Sequence, residues 1–182
     1  MTSQPLAPWH ALLAPLAAAL LLAGCTAMDK NQCQYANWYA IGLEDGGQGR
    51  MLDRLGERRR ACAEHGVQPD GERYAAGRNE GLKSFCTYDR GYRLGAAGNA
   101  YYGVCPEPAA SDFVAGYRRG KEIHDLGKRL NEVNADIKQT KAGLSEPGVS
   151  PRTRGQLAER LEDLSREAAQ LEQQLARAQS RR

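Results

Sequence analysis

The sequence has few aromatic residues and no long uninterrupted apolar segment. Of its 182 residues only two are Phe and two are Trp. No stretch reaches the roughly 20 apolar residues that a membrane-spanning helix requires, which excludes a polytopic membrane protein. Sustained alternation of apolar and polar residues rich in Val, Ile and Thr is also missing, so the sequence predicts no β-strands.

An excess of charge of one sign is also absent. The formal net charge is +3, and residues 1–120 carry 13 basic and 12 acidic residues. Residues 121–182 are equally mixed, with 12 basic and 10 acidic residues. A nucleic-acid-binding protein usually concentrates positive charge on one segment or face. We therefore expect no nucleic-acid partner.

Catalytic and cofactor-binding motifs are missing as well. The chain contains no Gly-x-Ser-x-Gly, no phosphate-binding loop, no His-Glu-x-x-His and no dinucleotide fingerprint. No pair of residues stands out as a general acid and base. The sequence therefore predicts a protein that is not an enzyme and that uses no cofactor or metal.

The N-terminus carries a short apolar run, Ala11 to Ala23, that ends in Leu22-Ala23-Gly24-Cys25. Its length is typical of a secretory signal. Its last four residues resemble the bacterial lipobox, which implies a signal peptide over 1–24, cleavage, and lipidation of Cys25 as a membrane anchor. Because Thr26 replaces the Asp that usually retains lipoproteins in the inner membrane, the resemblance favours the periplasmic side of the outer membrane. Residues 25–31 would form a tether.

Four cysteines remain after Cys25, an even number in a compartment where disulfides persist. They allow three pairings, and helix geometry favours Cys33 with Cys62 and Cys86 with Cys105. An antiparallel pair of helices would bring Cys33 and Cys62 together. The alternative is a zinc site that uses the Cys62-x-x-His65 spacing, although zinc sites usually show two close-spaced pairs.

A pattern of an aromatic residue followed by two glycines recurs within residues 32–120, which we expect to form one compact helical domain. The spacing i, i+3 and i+7 places each set on one helix face. The glycines would allow close approach and make a groove in which an aromatic residue of another helix can lie. The three full copies are Tyr39, Gly42, Gly46; Tyr74, Gly77, Gly81; and Phe113, Gly116, Gly120, with a shortened copy at Tyr92, Gly95, Gly98.

Helix-end signals support this interpretation. Asp70 is a predicted N-cap for the second copy, and Ser111-Asp112 for the third. Gly66 is a predicted C-terminal cap of the preceding helix.

Several ordered segments of the same region resemble a known family. They are Ala36 to Gly42 with Asp45-Gly46, Ala61 to Val67, Tyr74 to Arg78 with Gly81-Leu82, Phe85-Cys86, and Gly91-Tyr92 with Tyr102 to Pro106. Over about residues 33 to 125 the chain is similar to an uncharacterised bacterial lipoprotein family catalogued as domain of unknown function 2799. The resemblance implies no activity and no catalytic residue.

Residues 121–182 have a different composition, without aromatic residues or cysteine. Apolar residues at alternating spacings of three and four form two heptad seams, one from Ile123 to Leu144 and one from Leu157 to Ala178. A Pro-Gly-x-x-Pro turn separates them, and the second helix would begin at Ser150-Pro151 or at the Thr153-x-x-Gln156 capping box. We expect an antiparallel coiled-coil hairpin with arms of about 35 to 40 Å. The alternative is that one seam pairs between subunits.

The sequence therefore predicts an all-α protein in which a small disulfide-stapled domain precedes a coiled-coil hairpin. Its expected function is that of a structural or protein-interaction module of the cell envelope, with an envelope protein bound through the hairpin. The alternative is a domain that binds a glycan or small molecule on its tyrosine-rich face. In that case Tyr39, Tyr74 and Tyr92 would line an open pocket, whereas core packing would bury them against glycine faces.

Overall fold

The computed structural model describes residues 28–181, which form helices and no β-strands. The predicted signal peptide and the lipidation site Cys25 lie outside the described residues. No helix in the described part combines the length and apolar character needed to cross a membrane. The all-α prediction is confirmed. The helices are α1 (Lys30–Tyr35), α2 (Trp38–Gly47), α3 (Asp53–Ala63), α4 (Gly71–Phe85), α5 (Tyr88–Ala96), α6 (Ala109–Ser145) and α7 (Pro151–Ser180).

Side-chain N-caps begin most of these helices. The Asp70 carboxylate accepts a hydrogen bond from the Arg73 backbone N–H at 2.9 Å, which confirms the predicted start of α4. Ser150 caps α7 with Pro151 at its first position. The N-cap predicted at Ser111-Asp112 is wrong, because α6 already begins at Ala109 after Pro108. The backbone is already helical after Pro106, because the Ala110 N–H donates a hydrogen bond to the Pro106 carbonyl.

The described chain forms two compact units. The first comprises residues 28–36 and 55–69, that is α1 and most of α3. A disulfide joins Cys33 to Cys62 with a Cα–Cα distance of 5.5 Å, as the sequence predicted. Both cysteines and Leu55 are buried. After α3 the chain turns at Gly66, whose φ of 69° is the left-handed conformation of a C-terminal cap.

The second unit, residues 37–54 and 70–181, begins with a close pair of parallel helices, α2 and α4. Gly42 and Gly46 face the α4 backbone so closely that a methyl group at Gly42 would overlap the Tyr74 carbonyl oxygen. Gly77 and Gly81 face α2 in the same way. Close approach at these glycines is therefore observed, but the backbone of the neighbouring helix, and not the predicted aromatic ring, lies against them.

Helices α5 and α6 form a second pair of the same kind. A methyl group at Gly116 would overlap the carbonyl oxygen of Tyr88, and one at Gly91 that of Phe113. The fourth copy of the pattern is therefore full and consists of Tyr88, Gly91 and Gly95. The predicted shortened copy with Tyr92 is wrong, because Gly98 lies past the end of α5 with a φ of 73°.

The two pairs correspond position by position beyond their glycines. After α2 and after α5 the chain turns at a left-handed glycine, Gly49 or Gly98. A ring from the second helix of each pair covers that glycine, Phe85 in one case and His124 in the other. Because backbone path, glycines and covering rings repeat together, the second unit contains two copies of one structural element.

The second disulfide, Cys86 to Cys105, lies in the core of this unit and is also as predicted. Leu82 and Phe113 are buried with the two cysteines. The ring of Phe113 stacks on Phe85 at 5.1 Å between centroids and contacts Tyr101 at 4.6 Å.

The later part of α6 packs against α7 as the predicted hairpin. Three ion pairs between the helices, Arg129 with Glu167, Arg160 with Asp136 and Arg181 with Glu122, show the antiparallel direction. Val133, Ala168 and Leu171 form the centre of the seam. With 30 residues, α7 is about 45 Å long, somewhat longer than expected.

Candidate functional site

The aromatic residues of the repeated pattern lie in different environments. Tyr74 and Phe113 are fully buried, each with 0% exposure, whereas Tyr39 is 38% exposed. The Tyr74 hydroxyl donates a hydrogen bond of 2.8 Å to the buried Asp45 carboxylate. In the second pair Leu94 and Phe113 occupy the positions of Asp45 and Tyr74, so this polar contact is particular to the first pair.

Tyr74 does not line an open surface, as the ligand-binding alternative would require of it. Tyr74 has no exposed surface and its hydroxyl is bound within the protein. Tyr92 is half-buried, with the Arg119 guanidinium carbon 6.0 Å from its ring centroid. Of the three tyrosines, Tyr74 is therefore the one that packs in the core, whereas Tyr39 is exposed and Tyr92 is half-buried.

The zinc alternative for Cys62 and His65 is wrong. Cys62 is bonded to Cys33, so its sulfur is not available as a thiolate ligand, and His65 is exposed. Among residues 28–181 no group of three or more His, Cys, Asp or Glu side chains is arranged to hold a metal ion.

A cleft of about 290 Å³ lies between the turn that follows α2 and the loop that follows α5. Its apolar lining comes from Met51, Phe85, Leu94, Tyr101, Tyr102 and Val104. Its polar lining comes from Gln48, Arg50, Asp53 and Arg54. A mostly apolar concave surface with a few polar groups is the usual form of a small-molecule site.

Arg50 makes hydrogen bonds through both its side chain and its backbone. Its Nε donates to the Gln48 side-chain oxygen at 3.1 Å, and the Gln48 amide nitrogen donates to Glu44 at 3.1 Å. The Arg50 carbonyl accepts a bond of 2.9 Å from the Arg78 guanidinium. In the second pair the Asn99 carbonyl accepts a bond of 3.1 Å from the Tyr117 hydroxyl. Both turns are thus held at the same backbone position.

Large apolar side chains are exposed at the rim of the cleft. Tyr102 is 67% exposed and Met51 41%, and both line the cleft. Beneath them the Tyr101 hydroxyl accepts the Cys105 backbone N–H at 3.1 Å, which ties this loop to the disulfide. The cleft therefore has a fixed floor and an exposed aromatic edge.

The resolved pKa shifts lie at exposed ion pairs away from the cleft. A hydrogen bond from Lys121 lowers the pKa of Asp125, and the Glu167 carboxylate raises the pKa of Arg129 between the hairpin helices. The Glu80 carboxylate likewise raises the pKa of Lys83. Exposed pairs of this kind contribute little to stability.

The cleft residues Arg50, Tyr101 and Tyr102 were missed by the sequence analysis. The signal that could have found them is a third glycine, three residues after the second, just beyond the end of α2 and of α5 alike. Gly49 and Gly98 mark the two turns that border the cleft.

Comparison with known proteins gives one family. Residues 37–122 match the family model described as protein of unknown function (DUF2799). The match begins at the N-cap of α2 and ends two residues after Gly120, so it spans both glycine pairs and the chain between them. No curated protein and no solved structure gives a significant match.

Proposed function

Because residues 37–122 of this chain belong to the DUF2799 family, whose function is unknown, we propose a function from the molecule's own geometry. The protein is a non-enzymatic, lipid-anchored module on the periplasmic side of the outer membrane, and it binds an envelope protein through its hairpin. The observation that carries this proposal is α6. This helix runs without a break from the second glycine pair into the hairpin, so the hairpin is joined to the core by continuous helix and presents its own surface to a partner.

The seam of the hairpin supports a partner-binding role. The buried seam positions in the described part of the chain are Val133, Thr140, Ala168, Leu171 and Ala178. Other seam residues remain half-buried, namely Leu126, Leu130, Ile137 and Leu144 on α6 and Leu157, Leu161, Leu164 and Leu175 on α7. A further helix packed along this seam would remove apolar surface from water and stabilise the hairpin.

The anchor is tested by the Cys25→Ala variant. We expect the native chain to fractionate with the outer membrane and the variant to lose that association, because the acyl chains supply the membrane affinity. A Thr26→Ala variant is the matched control and should fractionate as the native chain does. If the Cys25→Ala variant stayed in the outer-membrane fraction, the anchoring part of the proposal would be wrong.

The hairpin is tested separately by photocrosslinking in intact cells. A photoreactive residue in place of Leu161, a half-buried seam position, should capture an envelope protein. The same residue in place of the exposed Gln173 is the control and should capture much less. Equal capture at both positions, or none at Leu161, would leave the hairpin as a spacer.

A further inference from the structure

We propose that the cleft between the two turns binds a sugar that carries an oxyanion, either a carboxylate or a phosphate. This proposal uses residues outside the hairpin and outside the N-terminal segment, and it does not depend on the function proposed above.

The anion would bind at Arg50. The Nε bond to Gln48 fixes the plane of the guanidinium, while no protein acceptor in the described part of the chain pairs with its terminal nitrogens. A guanidinium held in this way presents two parallel N–H donors, the arrangement that matches a carboxylate or phosphate. Because the side chain is already oriented, less conformational entropy is lost when an anion binds.

The charge of the lining favours an anion over a cation. Two arginines, Arg50 and Arg54, line the cleft together with one acidic side chain, Asp53. Counted over these lining side chains the charge is +1, and the exposed Arg50 guanidinium is accessible to an anion from solvent.

The remaining surface favours a ring. Tyr102 is 67% exposed at the edge of the cleft, and Met51 is exposed beside it. An exposed aromatic face next to polar groups suits a pyranose, which has one apolar face and a hydroxyl-bearing rim. The cleft volume of about 290 Å³ is near the lower end of small-molecule sites, so it suits a single sugar better than a long oligomer.

The comparison between the two copies indicates that Arg50 is not needed for folding. Both turns keep the left-handed glycine and the carbonyl that accepts a side-chain hydrogen bond, at Arg50 in one and Asn99 in the other. The backbone hydrogen bond at this position is common to both copies, whereas the arginine side chain occurs only in the first. The arginine side chain is additional, and ligand binding gives it a role.

The test is a titration of the full chain with three matched probes, in which binding is measured from changes in the backbone amide NMR signals. The probes are glucuronate, glucose 6-phosphate and uncharged glucose. We expect at least one anionic sugar to bind at least tenfold more tightly than glucose, with the largest shifts in residues 48–54 and 100–104. Comparison of glucuronate with glucose 6-phosphate identifies the preferred oxyanion.

Variants separate the anion site from the ring site. Arg50→Gln should remove the tenfold advantage of the charged sugars, whereas Arg90→Gln on α5 should keep it. Tyr102→Ala should weaken the binding of all three sugars several-fold. Tyr35→Ala changes a residue that is 83% exposed in the other unit and should leave their binding unchanged.

Two results would overturn the proposal. One is equal or undetectable binding of all three sugars by a chain whose NMR spectrum shows it to be folded. The other is inorganic phosphate binding as tightly as glucose 6-phosphate, which would mean that the ring contributes nothing.

Discussion

Eight glycines within four helices let the backbones of neighbouring helices come into close contact. A glycine inside a helix costs about 1 kcal/mol relative to alanine. Here each one faces a backbone carbonyl of the neighbouring helix, close enough for a Cα–H to oxygen contact. Such contacts are individually weak, but they also allow the flanking side chains to interdigitate. The glycines are therefore explained by helix approach and not by flexibility.

Two glycines of α6 give a matched test of this explanation. Gly116→Ala places a methyl group on the Tyr88 carbonyl, so the helices must separate, and we expect a loss of about 1 to 3 kcal/mol or more. Gly127 lies in the same helix with no atom near its added methyl group, so Gly127→Ala should stabilise the protein by about 1 kcal/mol. Urea unfolding under non-reducing conditions measures both values. Similar effects of the two substitutions would contradict the explanation.

At the scale of elements, the sequence predicted helices better than it predicted where they meet. The spacing of Tyr39, Gly42 and Gly46 defines one helix face, and that face does form the contact. The shortened copy failed because Gly95 and Gly98 are separated by a helix end, which depends on the φ of Gly98 and on His124 packing over it. Those are tertiary interactions between residues distant in sequence, and local periodicity does not contain them.

The cleft could not be predicted from local sequence patterns either. Its two sides come from the turn after α2 and the loop after α5, which only the packed fold brings together. The disulfide pairs were easier to predict, because four cysteines allow only three pairings and the positions of the helix ends restrict the choice further.

The Cys86 to Cys105 disulfide gives a prediction at this scale. It closes a loop between residues 19 positions apart and lies in the core beside Phe113. Replacing both cysteines by serine should cost about 3 kcal/mol on the chain-entropy model. Hydrogen exchange should show faster exchange in α4, α5 and the start of α6, whereas α7 keeps its protection. The matched control replaces Cys33 and Cys62, which should leave the core around Phe113 protected. Equal loosening of α7 would contradict the prediction.

At the scale of the whole molecule, α6 belongs to two structures at once. Its first turns pair with α5 through Gly116 and Gly120, and its later turns pair with α7. The domain boundary predicted between residues 120 and 121 falls inside this continuous helix. The composition changes there, but the helix does not, because helix-forming residues continue on both sides of Gly120.

Contacts just beyond that point distinguish two truncations of the chain. The His124 ring covers Gly98, and its Nδ1 lies 3.2 Å from the Ala96 carbonyl oxygen. A chain ending after Leu126 keeps these contacts, so its glycine pairs should unfold near the temperature of the same transition in the full chain. A chain ending after Gly120 loses them, and we expect it to fold but with about 1 to 3 kcal/mol less stability.

Thermal unfolding with intact disulfides measures the difference, which for a domain of this size corresponds to roughly 4 to 8 °C per kcal/mol. A chain ending after Leu126 with His124→Ala is the matched control. It should show most of the loss of stability seen in the shorter chain, because it removes the ring alone. Equal stability of the two truncated chains would show that the core ends at Gly120. Loss of folding in both would show that the hairpin is an integral part of the core, since only α7 and the later turns of α6 are missing from the longer chain.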